Sequence, residues 1–249
     1  MTQTVQITDS HCHLDFPDFD DCRDDIVARA IDAGVTRMVT ICTRLSSEPN
    51  VRAIAEKYDQ VFYAAGTHPM HAAEVPLVTV DQLVALAEHP KFKAAEIQKK
   101  SLEIHIQAAQ ETGLPLIIHA RAADDDMARI LSDGFKHKPY SCVMHCFSSS
   151  AELGRAALDL GFYLSMSGIA AFPKSQELRD IFAAAPVDRV LLETDSPYLA
   201  PPPYRGKRNE PGYTIHTAQI GADVFGLSYE DFAAQTQANF DRLFSKAAA

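Results

Sequence analysis

The chain has 249 residues, 47% of them apolar, and a net charge of −10 from 23 basic and 33 acidic side chains. That length suits one large buried core. The acidic balance excludes a broad basic face for gripping long duplex DNA, and no run approaches the ~20 apolar residues that span a bilayer.

Short β-branched runs alternate with longer helical patterns, as expected for a parallel sheet wound with helices. In chain order the pattern predicts strand Val5–Asp9, helix Cys22–Ala33, strand Arg37–Cys42, helix Glu48–Tyr58, strand Val61–Ala65 and helix Val80–Glu88. Helix Glu96–Glu111, strand Leu114–His119, helix Asp124–Leu131, strand Ser141–Cys146, helix Ala151–Leu158 and strand Gly161–Ser165 follow. Helix Ser175–Ala184, strand Val190–Glu193 and two closing helices, Thr217–Phe225 and Tyr229–Leu243, complete the series. Glycines 34, 113 and 161 stop helices just before the next strand. No repeat, low-complexity tract or linker divides the chain, so residues 1–249 read as a single domain. The expected fold is one (β/α)₈ barrel, for which about 250 residues is typical.

Seven strands are clear where a closed barrel needs eight. Between Glu88 and Glu96 only Lys91-Phe92-Lys93-Ala94 remains for the fourth strand and its loop. Either the written sequence omits a segment near Ala94 and Ala95, or the fourth unit is shortened. The pattern resumes intact on both flanks, which favours omission.

The chemistry gathers at strand ends. In Asp9-Ser10-His11-Cys12-His13 the two histidines are two apart, so on an extended strand they point the same way while Cys12 faces the other. Three more apolar strands end in a metal-competent side chain: His119, His145 and Asp195. In a barrel all strand C-termini meet at one face, where active sites lie. Five such residues on four strands therefore point to a divalent-metal site. His68 follows the third strand, and Arg121 lies two residues beyond His119, where its planar guanidinium suits a phosphate. Arg205, Lys207 and Arg208 form the one dense basic cluster, on a loop that in barrels often binds phosphate. The five cysteines form no Cys-x-x-Cys pair and no basic-then-apolar leader opens the chain. Reduced thiols and a cytoplasmic location are expected, with Cys12, Cys42, Cys142 and Cys146 packed in the core.

Several stretches resemble the TatD family of metal-dependent deoxyribonucleases, within the amidohydrolase-type barrels. They are Asp9–Asp15, Gly66-Thr67-His68-Pro69, Leu116–Arg121, His145-Cys146-Phe147-Ser148, Leu192–Pro201 and Arg205–Pro211. The resemblance implies two divalent ions (zinc, manganese or magnesium), one on His11, His13 and Asp195 and a second on His119 and His145. In that family a glutamate within a Gly-Glu-x-Gly-Leu-Asp motif bridges the ions. No such motif occurs here, and its place falls in the short fourth unit, where Glu96 reads as helix.

Two ions about 3.5–4 Å apart suit phosphodiester hydrolysis by an activated water. Asp195 is the candidate general base, or a ligand only. His68 is assigned to proton transfer or substrate phosphate, with Arg121, Arg205, Lys207 and Arg208 binding substrate. Few basic groups beside the metals favour single-stranded DNA or strand ends, hence an exonuclease-like enzyme with no membrane or obligate protein partner. Two rivals keep the barrel: a metal-dependent hydrolase of esters or amides such as aminoacyl-tRNA, and a non-catalytic barrel that has lost its bridging carboxylate.

Overall fold

A computed structural model describes residues 5–68, 71, 78–88 and 99–247. Its seven strands are β1 (Ile7–Cys12), β2 (Val35–Cys42), β3 (Val61–Ala65), β4 (Leu116–His119), β5 (Cys142–His145), β6 (Tyr163–Met166) and β7 (Val190–Leu192). The helices are α1 (Arg23–Asp32), α2 (Glu48–Lys57), α3 (Val80–Ala87), α4 (Lys99–Thr112), α5 (Asp124–His137), α6 (Ala151–Asp159), α7 (Gln176–Ala183), α8 (Thr214–Phe225) and α9 (Tyr229–Leu243). All strand pairs are parallel, in the orders β1-β2-β3 and β4-β5-β6-β7. The expected fourth strand, the Ala94–Ala95 segment and Glu96 lie outside the described residues.

The two sheets join where β7 ends beside β1. A bridge pairs Cys12 with Ser196, Asp195 N donates to His11 O at 2.9 Å, and His13 N donates to Ser196 O at 2.8 Å. This seam brings Asp195 against His11 and His13 although about 180 residues of chain lie between them.

The strands are buried on both faces, as parallel strands covered by helices should be. Inside lie Val39, Ile41, Ala64, Ile117, Val143, Tyr163 and Leu191, closed at the lower end by Phe240, Leu243 and Phe244 around the end of α9. Asn239 Nδ2 ties α9 to the β7 approach by donating to Val187 O and Val190 O, both at 2.8 Å. Arg37 pairs with Asp241 at 2.5 Å and lies over the Phe240 ring. Among the described residues, no helix is long and apolar enough to cross a membrane.

Two element boundaries differ instructively from the sequence pattern. Strand β1 runs on to Cys12 instead of ending at Asp9, because its polar side chains find partners inside the fold. Ser10 meets Ser165 at 3.2 Å, and Asp9 accepts from the backbone N of Thr194 at 2.9 Å and from its hydroxyl at 2.6 Å. Helix α5 continues six residues past Leu131, through a Ser132-Asp133-Gly134 run that resembles a stop. Gly134 sits where a Cβ would be 3.0 Å from Ile106 Cγ2, so it serves close packing of α4 on α5. By contrast, Gly113 (φ +70) and Gly161 (φ +79) are left-handed stops, as their positions suggested.

Candidate metal centre

Asp195 is the hub of the site. Its Oδ1 lies 3.4 Å from His13 Nε2, 3.8 Å from His11 Nε2 and 3.8 Å from His145 Nε2. His11 and His13 arrive from the end of β1, His145 from the end of β5, and Asp195 from three residues past β7. Asp195 itself has φ +57 and Cys146, directly after His145, has φ +44. Residues held in this sparsely populated region concentrate at functional sites, and here the turn aims the carboxylate back at three rings.

Backbone and second-layer groups sit behind two of the rings that face Asp195. His13 Nδ1 is 3.2 Å from Ile41 O, and His145 Nδ1 is 2.8 Å from Glu193 Oε1. His13 Nδ1 is within hydrogen-bond reach of Ile41 O, whereas the approach of His145 Nδ1 to Glu193 Oε1 is a close charge contact without hydrogen-bond direction. Glu193 is buried at 1% exposure and was not among the residues the sequence pattern selected. The available signal was a lone glutamate closing an apolar strand, two residues before Asp195.

Burial and crowding hold His11, His68 and His119 below the ordinary imidazole range. Burial first, then the fields of His145, His13, His119 and His68, hold His11 well below the ordinary imidazole range. Burial, followed by His119 and the other rings, pushes His68 down to about 3. Burial and His145 bring His119 to about 4. For Asp195 burial opposes ionisation, but the hydrogen bond from His13 and the fields of His145, His13 and His119 outweigh it, so the carboxyl titrates below its usual value. The centre thus joins a carboxyl held below its usual pKa to buried imidazoles, a donor set suited to a divalent cation.

The fit is also geometric. Ligands ~2.1 Å from one tetrahedral ion lie about 3.4 Å apart, which is the His13–Asp195 spacing. His11, His13 and Asp195 offer three donor atoms within 4.8 Å of one another, as do His11, His145 and Glu193. His11 and His145 stack with centroids 3.4 Å apart. His11 Nδ1 and His119 Nδ1 are buried without a hydrogen-bond partner, a costly state that ligation or a bound water relieves.

The remaining predicted site residues converge less. His119 pairs with His145 across β4 and β5, their rings 5.6 Å apart, and with His68 at 5.0 Å. It belongs to none of the three-donor groups among the described residues. Arg121 is exposed, and its charge contributes to keeping His119 neutral. Arg205 and Lys207 are exposed, with the Arg205 guanidinium 4.1 Å from the Phe172 ring centre. Arg208 reaches Asp18 O and Cys22 Sγ, so it fastens the β1–α1 loop. The four core cysteines are buried free thiols, and burial raises each thiol's pKa, Cys42 to about 11.

The family model described as TatD related DNase matches residues 8–245. YcfH of Escherichia coli (strain K12), called an uncharacterized metal-dependent hydrolase, is 36% identical over 257 positions, covering 96% of this chain and 95% of that protein. The alignment is longer than the 249-residue chain, so YcfH carries residues that this chain lacks. The protein called 3'-5' ssDNA/RNA exonuclease TatD of Salmonella typhimurium is 30% identical over 241 positions, covering 89% of this chain and 92% of its own length. The crystal structure of YJJV, a TatD homolog from Escherichia coli K12, has a TM-score of 0.86 at 24% identity, covering 98% of this chain and 99% of that one.

Proposed function

The chain belongs to the TatD related DNase family and is a metal-dependent hydrolase, and on that premise we propose that it cleaves phosphodiester bonds at the ends of DNA strands. The observation that carries this reading is the convergence of three imidazole Nε2 atoms within 3.4–3.8 Å of one carboxylate oxygen of Asp195. The name of the Salmonella relative supports a nucleic-acid substrate.

His11, His13 and Asp195 are the proposed holders of one divalent ion, and His119 with His145 of a second. A divalent ion of this kind supplies Lewis acidity and brings the pKa of a water toward ~7. Asp195, whose carboxyl titrates below its usual value, has a free carboxylate valence to accept a proton from an attacking water. Glu193 sets a buried carboxyl 2.8 Å behind His145 Nδ1. His68, beside His119, is the proposed hydrogen-bond donor to a substrate phosphate oxygen through its ring N–H. Arg121, Arg205 and Lys207, all exposed, are the proposed contacts for substrate phosphate. Arg208, already engaged with Asp18 and Cys22, joins them only through its charge. A net charge of −10 favours a free strand end over continuous duplex.

The test is hydrolysis by metal-loaded protein of end-labelled single-stranded DNA, duplex DNA and a carboxylic ester, with bound metal counted per chain. Release of nucleotides from single-stranded ends is expected. Cleavage of the ester with no nucleotide released from any DNA overturns the proposal. One bound ion per chain removes the second metal from it.

A further inference from the structure

Three residues past Asp195, Tyr198 turns its ring to solvent. At 55% exposure it is the most open of the large apolar side chains that reach the surface among the described residues. Single exposed apolar residues are ordinary, but this one is fixed at both backbone ends. Its N donates to Asp195 O at 2.9 Å, and its O accepts from Asn209 Nδ2 at 2.6 Å. The next ring inward is Phe16, 6.1 Å away and nearly perpendicular at 78°. Phe16 in turn stacks on His13 at 4.5 Å and 19°. A continuous aromatic path therefore leads from a proposed metal ligand to open solvent.

We propose that Phe16 and Tyr198 form an L-shaped aromatic notch that holds the base of the nucleotide whose phosphodiester is presented to the Asp195 centre. The proposal rests on the nuclease reading above and adds how substrate is gripped. Every base has a flat π-face, so stacking is sequence-tolerant and independent of a basic surface. That suits a chain of net charge −10, whose phosphate contacts are few. Two perpendicular rings offer a face and an edge together, which are the favoured partners of another aromatic ring. Such a notch needs an unpaired base, so it selects single strands and frayed ends.

The chain has no tryptophan, so Tyr198→Trp adds a lone fluorescent reporter at the notch. In EDTA, where hydrolysis stops, its emission is expected to be quenched by a short oligothymidylate and far less by an abasic oligonucleotide with the same phosphates. In the metal-loaded enzyme Tyr198→Ala is expected to shrink the KM advantage of the base-bearing over the abasic oligonucleotide by about 5- to 150-fold, the range for one stacked base. Tyr198→Phe should keep that advantage. Equal quenching by both oligonucleotides, or an unchanged KM ratio in Tyr198→Ala, overturns the notch. Wild-type enzyme that hydrolyses no DNA overturns the nuclease reading instead, and the fluorescence measurement, which needs no turnover, keeps the two failures apart.

Discussion

Asp195 differs from an ordinary surface carboxylate because three imidazoles face the same oxygen. Replacing it with asparagine keeps the shape and removes the charge. Asp195→Asn is predicted to lose most bound metal on dialysis and to lower hydrolysis at least about 100-fold, a scale typical for loss of a group acting on the attacking water. Wild-type metal content in that variant removes Asp195 from the centre. Glu193 acts one step back, its buried carboxyl 2.8 Å from His145 Nδ1. Outer carboxylates of this kind change metal affinity by about 10–100-fold. Glu193→Gln is therefore predicted to weaken metal binding by that factor in calorimetric titration, and an unchanged affinity counts against the role. His145 was legible in the sequence as a strand-end histidine. Glu193 was not, because a carboxylate inside an apolar strand gains meaning only from the side chain that the neighbouring strand sets against it.

At the scale of elements, two glycines carry contacts that no periodicity announces. A Cβ on Gly221 of α8 would lie 2.2 Å from Phe232 Cε1 of α9, and Phe232 is fully buried. Gly221→Ala is predicted to cost about 1–3 kcal/mol by overpacking. The expected drop is about 2–4 °C in melting temperature for each kcal/mol in a domain of this size. Metal content should stay at the wild-type level, which distinguishes a packing defect from a site defect. Gly168 is tighter: its Cβ would fall 2.1 Å from Leu199 O, on the loop that carries Tyr198. That contact binds the β6 exit to the β7 exit and fixes the notch relative to Asp195. The alternation of strands and helices was readable from apolar spacing alone. The length of α5 was not, because Gly134 reads locally as a stop and acts as a packing surface for Ile106.

For the whole molecule, the buried neutral histidines link stability to pH. His68 is pushed down to about 3, His105 to about 3 and His119 to about 4, in each case chiefly by burial. Unfolded, each titrates near ~6.5. Their folded values are depressed, so above pH ~6.5 they are neutral in both states and cost nothing. As pH falls below ~6.5 the unfolded chain takes up protons that the folded one refuses, and stability declines until the folded values are reached. The metal-free protein is predicted to melt at a clearly lower temperature at pH 5 than at pH 7.5. Equal melting temperatures would contradict neutral burial of these rings. Divalent metal should raise the melting temperature at pH 7.5 by binding only the folded state, and less so at pH 5, where protons compete for the same nitrogens.

The sequence by itself determined the parallel α/β plan and the strand-end residues His11, His13, His119, His145 and Asp195, because side-chain alternation and helical periodicity are local and survive without knowledge of neighbours. It also showed the short unit before Glu96. Only the tertiary structure decided that His145 shares Asp195 with the β1 pair and that His119 stands apart beside His68. It alone placed Glu193 behind His145 and lined up Phe16 with Tyr198. Those relations cross strands far apart in the chain, and the seam between β7 and β1 sets them through the hydrogen bonds of Asp195 and Ser196. Side-chain chemistry is written in the order of residues; which groups meet is decided where the two sheets join.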